Sequence, residues 1–190
     1  MVFDVESSLL STIPHTTPSP PIPVVIVIRR YHPGEEPAIW EVYFRSTHET
    51  NARDYHSELL DRWAPPDRDM DEWRERLAAT NPFVAIVEER IAGMAEVDAA
   101  GMIDYFYVHP EFLRRGVGTR LMEEIEAQAR RENLPALEAE VSLTAKMFFE
   151  ALGFQVTEAR ENVILGHPAP NFSMRKKLEK SPPGSTRIGP

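Results

Sequence analysis

The chain has 190 residues, 42% of them hydrophobic and 9% aromatic, a formal charge of −9 and no cysteine. That length suits one domain with tails, and the apolar content is well above that of a disordered chain. The acidic balance argues against a broad nucleic-acid-binding face, and the missing thiol excludes disulfides, thiolate nucleophiles and cysteine-ligated zinc.

Residues 1–23 carry five prolines, Pro14, Pro18, Pro20, Pro21 and Pro23, among serines and threonines, and are predicted to form an extended arm. They lack the basic start and continuous apolar core of a signal peptide. The longest purely apolar run, Val24 to Ile28, is too short to cross a bilayer. A cytoplasmic chain with no membrane contact is the expectation.

Val24–Arg30 (VVIVIRR) is rich in β-branched residues and predicts a buried strand. From Glu35 to about Leu60 the pattern is helical but polar and broken. Asp69–Ala79 predicts a short helix with acidic residues in its first turn. Phe83–Val97 holds two apolar runs around Glu88–Arg90, the pattern of a hairpin. Gly101–Pro110 (GMIDYFYVHP) adds a third strand, closed by Pro110, which cannot donate to the ladder. Val117, Leu121, Met122, Ile125 and Ala129 then fall on one face of a helix. Pro135–Glu140 reads as a short strand. Ser142–Leu152 predicts a second amphipathic helix with Leu143, Met147 and Phe148 as core candidates, and Gly153 stands where a C-terminal cap would be. FQVTEA and FSMRKKL (Phe172–Leu178) close the sheet, Arg175–Lys177 reads as a solvated strand end, and 179–190 reads as a tail. One mixed α/β domain over 24–178 is expected.

The segment EFLRRGVGTRLM joins the third strand to the helix. Gly116 and Gly118 let backbone amides approach a ligand without a Cβ in the way. A helix beginning near Val117 leaves its first amides unpaired and adds a partial positive charge, a combination that can hold a pyrophosphate. Arg114 and Arg115 could add charge-assisted contacts. The same glycines would also suit a tight turn selected for packing. No Gly-Lys-Ser/Thr follows, and a third glycine is missing, so the segment is neither a P-loop nor a dinucleotide fingerprint.

Taken in order, YFYVHP, EFLRRGVGTRLM and FFEALGF resemble the GNAT superfamily of acyl-CoA-dependent N-acyltransferases. The resemblance covers about Val24–Leu178 and is strongest over Gly101–Phe154. The family's signature (Gln or Arg, two residues, Gly, one residue, Gly or Ala) falls on Leu113, Arg114, Arg115, Gly116, Val117 and Gly118, with Leu113 departing from it. A second family pattern falls on Ser142–Phe154. There Ser142 replaces a common Asn, and Phe149 replaces a Tyr that often protonates the leaving thiolate. The resemblance implies an α/β fold of the α+β kind: a mixed, mostly antiparallel central sheet with a splayed strand pair and flanking helices. It implies acetyl-CoA as co-substrate and no metal. Phe106, Tyr107 and Val108 would offer backbone groups to the pantetheine arm. Arg114, Arg115, Gly116, Val117, Gly118 and Thr119 would wrap the pyrophosphate, with Ser142 and Phe149 completing the cofactor site. The Val108 amide would hold the oxyanion.

Attack on a thioester needs a neutral amine, and a lysine-like amine with a pKa near 10.4 is neutral in only about one molecule in a thousand at physiological pH. A base should therefore matter, typically by about 10²–10⁴-fold. Asp104, four residues before Val108 and read as lying on the same face of the strand, is the first candidate. A solvent-facing residue or a local hydrogen-bonding partner is its structural reading. Glu96, Glu138 and Glu140 are the other strand carboxylates, each read more simply as a surface residue. Phe149 cannot donate a proton. Either the thiolate leaves unaided, or Tyr105 or Tyr107 acts, or only ligand binding remains. The six histidines show no paired helical zinc spacing, and His109 reads as structural. Trp40, Trp63 and Trp73 lie in the region that walls the acceptor pocket in this family, with core packing the plainer reading.

The leading reading is an N-acetyltransferase acting on a primary amine of a small molecule or protein by direct attack in a ternary complex. The alternative is a non-catalytic acyl-CoA-binding or sensor module with the same fold, and a phosphate-binding fold unrelated to CoA comes third. No nucleic acid or membrane partner is implied, and a homodimer through an exposed edge strand fits the family. Fold does not settle the acceptor.

Overall fold

The computed structural model describes residues 25–179; the expected N-terminal arm, and the expected tail beyond Glu179, lie outside the described residues. Among the described residues no helix is long and apolar enough to cross a membrane.

β1 (Val27–Arg30) leads into α1 (Glu36–Arg45). A π-helical turn at Ser46–Thr50 and a 3-10 turn at Asn51–Arg53 break the helical path before α2 (Ser57–Trp63). In α3 (Met70–Thr80) the Asp69 carboxylate accepts from the amides of Asp71 and Glu72 at 2.8 and 3.2 Å, the reason the helix starts there. Asn81, left-handed at φ 45°, stops it. β2 (Phe83–Val87) and β3 (Arg90–Val97) form the expected hairpin, turned by Glu88 and Glu89, both at positive φ. β4 (Met102–Val108), a 3-10 turn at Pro110–Phe112, α4 (Val117–Arg131), β5 (Ala136–Ser142), α5 (Lys146–Ala151) and β6 (Gln155–Arg160) follow. A short hairpin, β7 (Val163–Ile164) with β8 (His167–Pro168), precedes β9 (Asn171–Lys177).

Seven strands make one sheet in the order β1-β2-β3-β4-β5-β9-β6, antiparallel except where β4 meets β5. One face is covered by α4 and α5, whose Val117, Leu121, Ile125 and Phe149 pack on Ala85, Leu137, Ala139 and Met174. The predicted α4 stripe is fully buried. The other face of β1–β4 is covered by α1 and α3 through Ile39, Trp73, Leu77, Val84 and Met94. A small third cluster, Tyr55, Leu59, Leu60 and Ala169 with Trp63 and Ile164, docks the β7–β8 hairpin on α2.

Two expectations change. Among the described residues β1 is an edge strand bonded only to β2, with Val27 half exposed, and Val25 precedes the strand in the open. A β-branched run marks a strand but not whether both its faces are covered. The helix expected from Ser142 starts at Lys146, because Ser142 holds a turn: its Oγ and carbonyl both accept from the Ala145 amide, at 3.3 and 3.1 Å. The delayed start rotates the apolar face. Leu143 and Met147 are exposed, Phe148 is half-buried, and Phe149 fills the core position.

Candidate active site

β4 and β5 are paired only through Met102 with Glu138 and Ile103 with Ala139. Beyond that point β5 stays bonded to β9 along its full length while β4 runs on to Val108. The strands therefore part, and the β4 backbone from Asp104 to Val108 has no β5 partner. Such an unpaired row of N–H and C=O groups can receive an extended ligand.

Next to the opening stands the N-terminus of α4. Arg114 and Gly116 both take positive φ, 59° and 87°. The helix has no side-chain cap, and its first bond runs from the Arg120 amide to the Gly116 carbonyl at 3.0 Å. The amides of Val117, Gly118 and Thr119 precede that bond, at the positive end of a 15-residue dipole. A Cβ at Gly116 would meet only Ile26 Cδ1, at 3.7 Å, so the turn is open to solvent. Gly118 differs: a Cβ there would lie 2.8 Å from Cζ of Phe148. Phe148 belongs to an aromatic layer with Phe106 and Phe149, ring centroids 5.6–5.8 Å apart. Close packing thus accounts for Gly118 as well as ligand approach does. Arg115 is engaged, ion-paired to Glu88 with its guanidinium 5.0 Å from the Phe112 ring. Arg114 is exposed and makes no ion pair among the described residues.

The face of β4 toward α1 and α3 carries a different chemistry. Ala95 pairs with Phe106 and Val97 with Ile103, so Glu96 alone stands opposite both Asp104 and Tyr105. This is a β-bulge, and it breaks the two-residue alternation. Val108 packs with the α4 core, whereas Asp104 turns to Arg76 of α3, whose Nη2 donates to it at 2.7 Å. The premise that Asp104 and Val108 share a face is thereby corrected. Arg76 Nη2 also binds Glu96, and its guanidinium lies 4.1 Å from the Tyr105 ring. Glu96 is not the surface residue expected: it is 4% exposed, and its Oε2 has no hydrogen-bond partner among the described residues. Tyr43, Tyr105 and Tyr107 lie with centroids 4.6–5.7 Å apart, and burial holds all three phenols above their ordinary range, as donors.

The acetyltransferase (GNAT) domain family matches residues 51–176. YafP of Escherichia coli strain K12, an uncharacterised N-acetyltransferase, is 32% identical over 153 residues, 80% of this chain and 96% of YafP. The chain belongs to the GNAT acetyltransferase family. A GCN5-related N-acetyltransferase from Rhodopseudomonas palustris matches 80% of this chain and 95% of its own, with a TM-score of 0.74 and 27% identity. The PaiA N-acetyltransferase of Thermoplasma acidophilum, in complex with coenzyme A, shares the fold with a TM-score of 0.65 and 19% identity, over 81% and 99% of the two chains. The seven-stranded, mostly antiparallel sheet with flanking helices is the GNAT fold, and the chain is an acyltransferase.

Within this GNAT domain, Phe106, Tyr107, Val108 and the Arg114–Thr119 loop converge on the strand opening and the α4 N-terminus. Ser142 ends β5 there and is used in its turn. Phe149 is 4% exposed in the core. Glu138 and Glu140 lie on the face of β5 that no helix covers, paired with Arg175 at 3.1 Å and Arg160 at 2.9 Å. A depression of about 170 Å³ on that face includes Met102 and Ser173 but shares no residue with the α4 loop. His109 is buried and accepts from Arg45 Nη1 at 3.1 Å; burial pulls its imidazole below the ordinary value, and the Arg45 charge adds to that. Trp73 is core, its indole N–H donating to the Glu36 carbonyl at 3.1 Å, while Trp40 and Trp63 are half-buried. Lys176, expected to be solvated, donates to the Leu152 carbonyl at 2.6 Å and to Glu126. Sequence reading did not single out Arg76 or Tyr43. Each acts through partners distant in the chain, for which no local spacing exists.

Proposed function

We propose that this GNAT domain transfers the acetyl group of acetyl-CoA to a primary amine by direct attack in a ternary complex. The observation that carries the proposal is the parting of β4 from β5 beside the uncapped N-terminus of α4. The β4 backbone at Phe106, Tyr107 and Val108, which has β3 on one side and no β5 partner on the other, would bind the pantetheine arm. The Arg114–Thr119 loop, with its free helical amides and the uncommitted Arg114, would hold the pyrophosphate. A coenzyme-A-bound relative of the same fold supports this fit. The cysteine-free chain suits a reducing cytoplasm, where acetyl-CoA would be met.

The acceptor would enter on the α1–α3 side. There Asp104 and Glu96 offer negative charge within an aromatic wall of Tyr43, Tyr105 and Tyr107, which suits an amine-bearing molecule. Asp104 would take the amine proton, directly or through water, as the N–C bond forms. The Val108 amide would hold the oxyanion, and the C–S bond breaks with loss of the CoA thiolate. A free thiol has a pKa of about 8.5, low enough for departure without the acid that Phe149 cannot supply. Asp104→Asn is expected to lower kcat about 10²-fold while the acetyl-CoA Kd, measured by calorimetry, changes less than about twofold. An unchanged kcat would remove Asp104 from the mechanism. Phe149, buried and without a hydroxyl, favours the second reading, a module that binds acyl-CoA without turning it over.

A further inference from the structure

We propose that His56, Glu58 and His167 form a binding site for a divalent transition-metal cation of the zinc class, separate from the acyl-transfer site. One ligand atom from each residue lies within 4.8 Å of the others. The two imidazoles stack with centroids 3.7 Å apart and planes 7° from parallel, and His167 Nε2 lies 3.2 Å from Glu58 Oε2. In a tetrahedral zinc site, metal–ligand bonds of about 2.0–2.2 Å put ligand atoms about 3.4 Å from one another. His56 offers Nε2, since its Nδ1 accepts from the Glu58 amide, and because parallel ring planes aim their in-plane lone pairs side by side, closing on an ion takes side-chain rotations that open the stack. Glu58 and His167 are partly exposed, at 62% and 28% of their side-chain surface, and free to make them.

The scaffold beneath is already set. His56 is the N-cap of α2 and Glu58 lies in its first turn. His167 is held on β8 opposite Ile164, and Ile164 packs with the α2 cluster of Tyr55, Leu59 and Leu60. Two imidazoles and one carboxylate are a borderline donor set that suits zinc. Magnesium and calcium prefer oxygen ligands and more of them. Three protein ligands leave a coordination position for water or another ligand.

The cation would tie α2 to the β7–β8 hairpin, two elements that also share a small apolar cluster. The neighbouring Tyr55 hydroxyl donates to the Pro170 carbonyl and accepts from the Leu143 amide, both at 2.7 Å. Leu143 follows the end of β5 that has parted from β4, so the clamp would stiffen one border of that opening.

Calorimetric titration of the full chain with zinc chloride tests the site. The expected result is one saturable site per chain, a melting temperature that rises with zinc, and no response to magnesium chloride. His56→Ala and His167→Ala are each expected to weaken binding by about tenfold or more and to abolish the zinc-dependent rise in melting temperature, read against each variant's own metal-free melting point, which His56→Ala lowers by removing the α2 cap. No saturable zinc binding, or variants that bind zinc as tightly as wild type, would overturn the proposal.

Discussion

Gly116→Glu is expected to lower acetyl-CoA affinity by about a thousandfold while the chain stays folded. Each unit charge placed about 4 Å from the carboxylate costs about 4 kcal/mol at an effective dielectric of 20, roughly that factor. The substitution would set its charge at the mouth of the helix amides, where the pyrophosphate is proposed to sit. Folding should survive, because a Cβ at Gly116 meets only Ile26 Cδ1 at 3.7 Å. The positive φ of 87° adds a strain of about 1–2 kcal/mol for any side chain. Gly116→Ala controls for that strain without the charge and should retain most of the affinity. Calorimetry beside circular dichroism separates the effects. A folded Gly116→Glu chain that binds as tightly as wild type would place the pyrophosphate elsewhere.

Gly101→Ala is expected to cost about 3 kcal/mol of stability, a fall in melting temperature of about 10 °C. Gly101 stands at the one place where β4 and β5 meet, and its carbonyl accepts from the Glu138 amide at 2.9 Å. Its φ is +91°, and a Cβ there would lie 2.7 Å from the Ala136 carbonyl oxygen, which belongs to backbone and cannot swing away. Strain and steric pressure act together on the short parallel contact from which the opening fans out. Gly166→Ala separates them, since Gly166 has φ +79° with nothing within 4 Å of a Cβ. Its cost should be about 1–2 kcal/mol from backbone strain alone. Equal thermal shifts for the two variants would contradict the steric part of the argument.

The local devices of this fold were legible in the chain. Asp69 announces α3, the Val117–Ala129 stripe announces α4, and Gly116 announces the left-handed turn that opens it; each is set by residues a few positions apart. What escaped depends on partners far along the chain or on a broken period. Counting in twos from Val108 puts Asp104 on the same face, and the bulge opposite Glu96 shifts that count by one. Glu96 looked like a surface carboxylate because nothing nearby in sequence says that Arg76 reaches it from α3. Ser142 looked helical, yet it closes a turn and moves Phe149 rather than Met147 into the core. His56 and His167 have no motif spacing, and only the docking of the β7–β8 hairpin stacks them.

The most direct test of the central claim is release of CoA thiol from acetyl-CoA by the purified chain against a broad panel of primary amines, followed with a thiol-reactive dye. Release is expected to depend on both an amine and the enzyme, to be matched by the acetylated amine in mass spectra, and to be lost in Gly116→Glu. Tight acetyl-CoA binding with no amine-dependent release across the panel would contradict acyl transfer and leave the non-catalytic binding module.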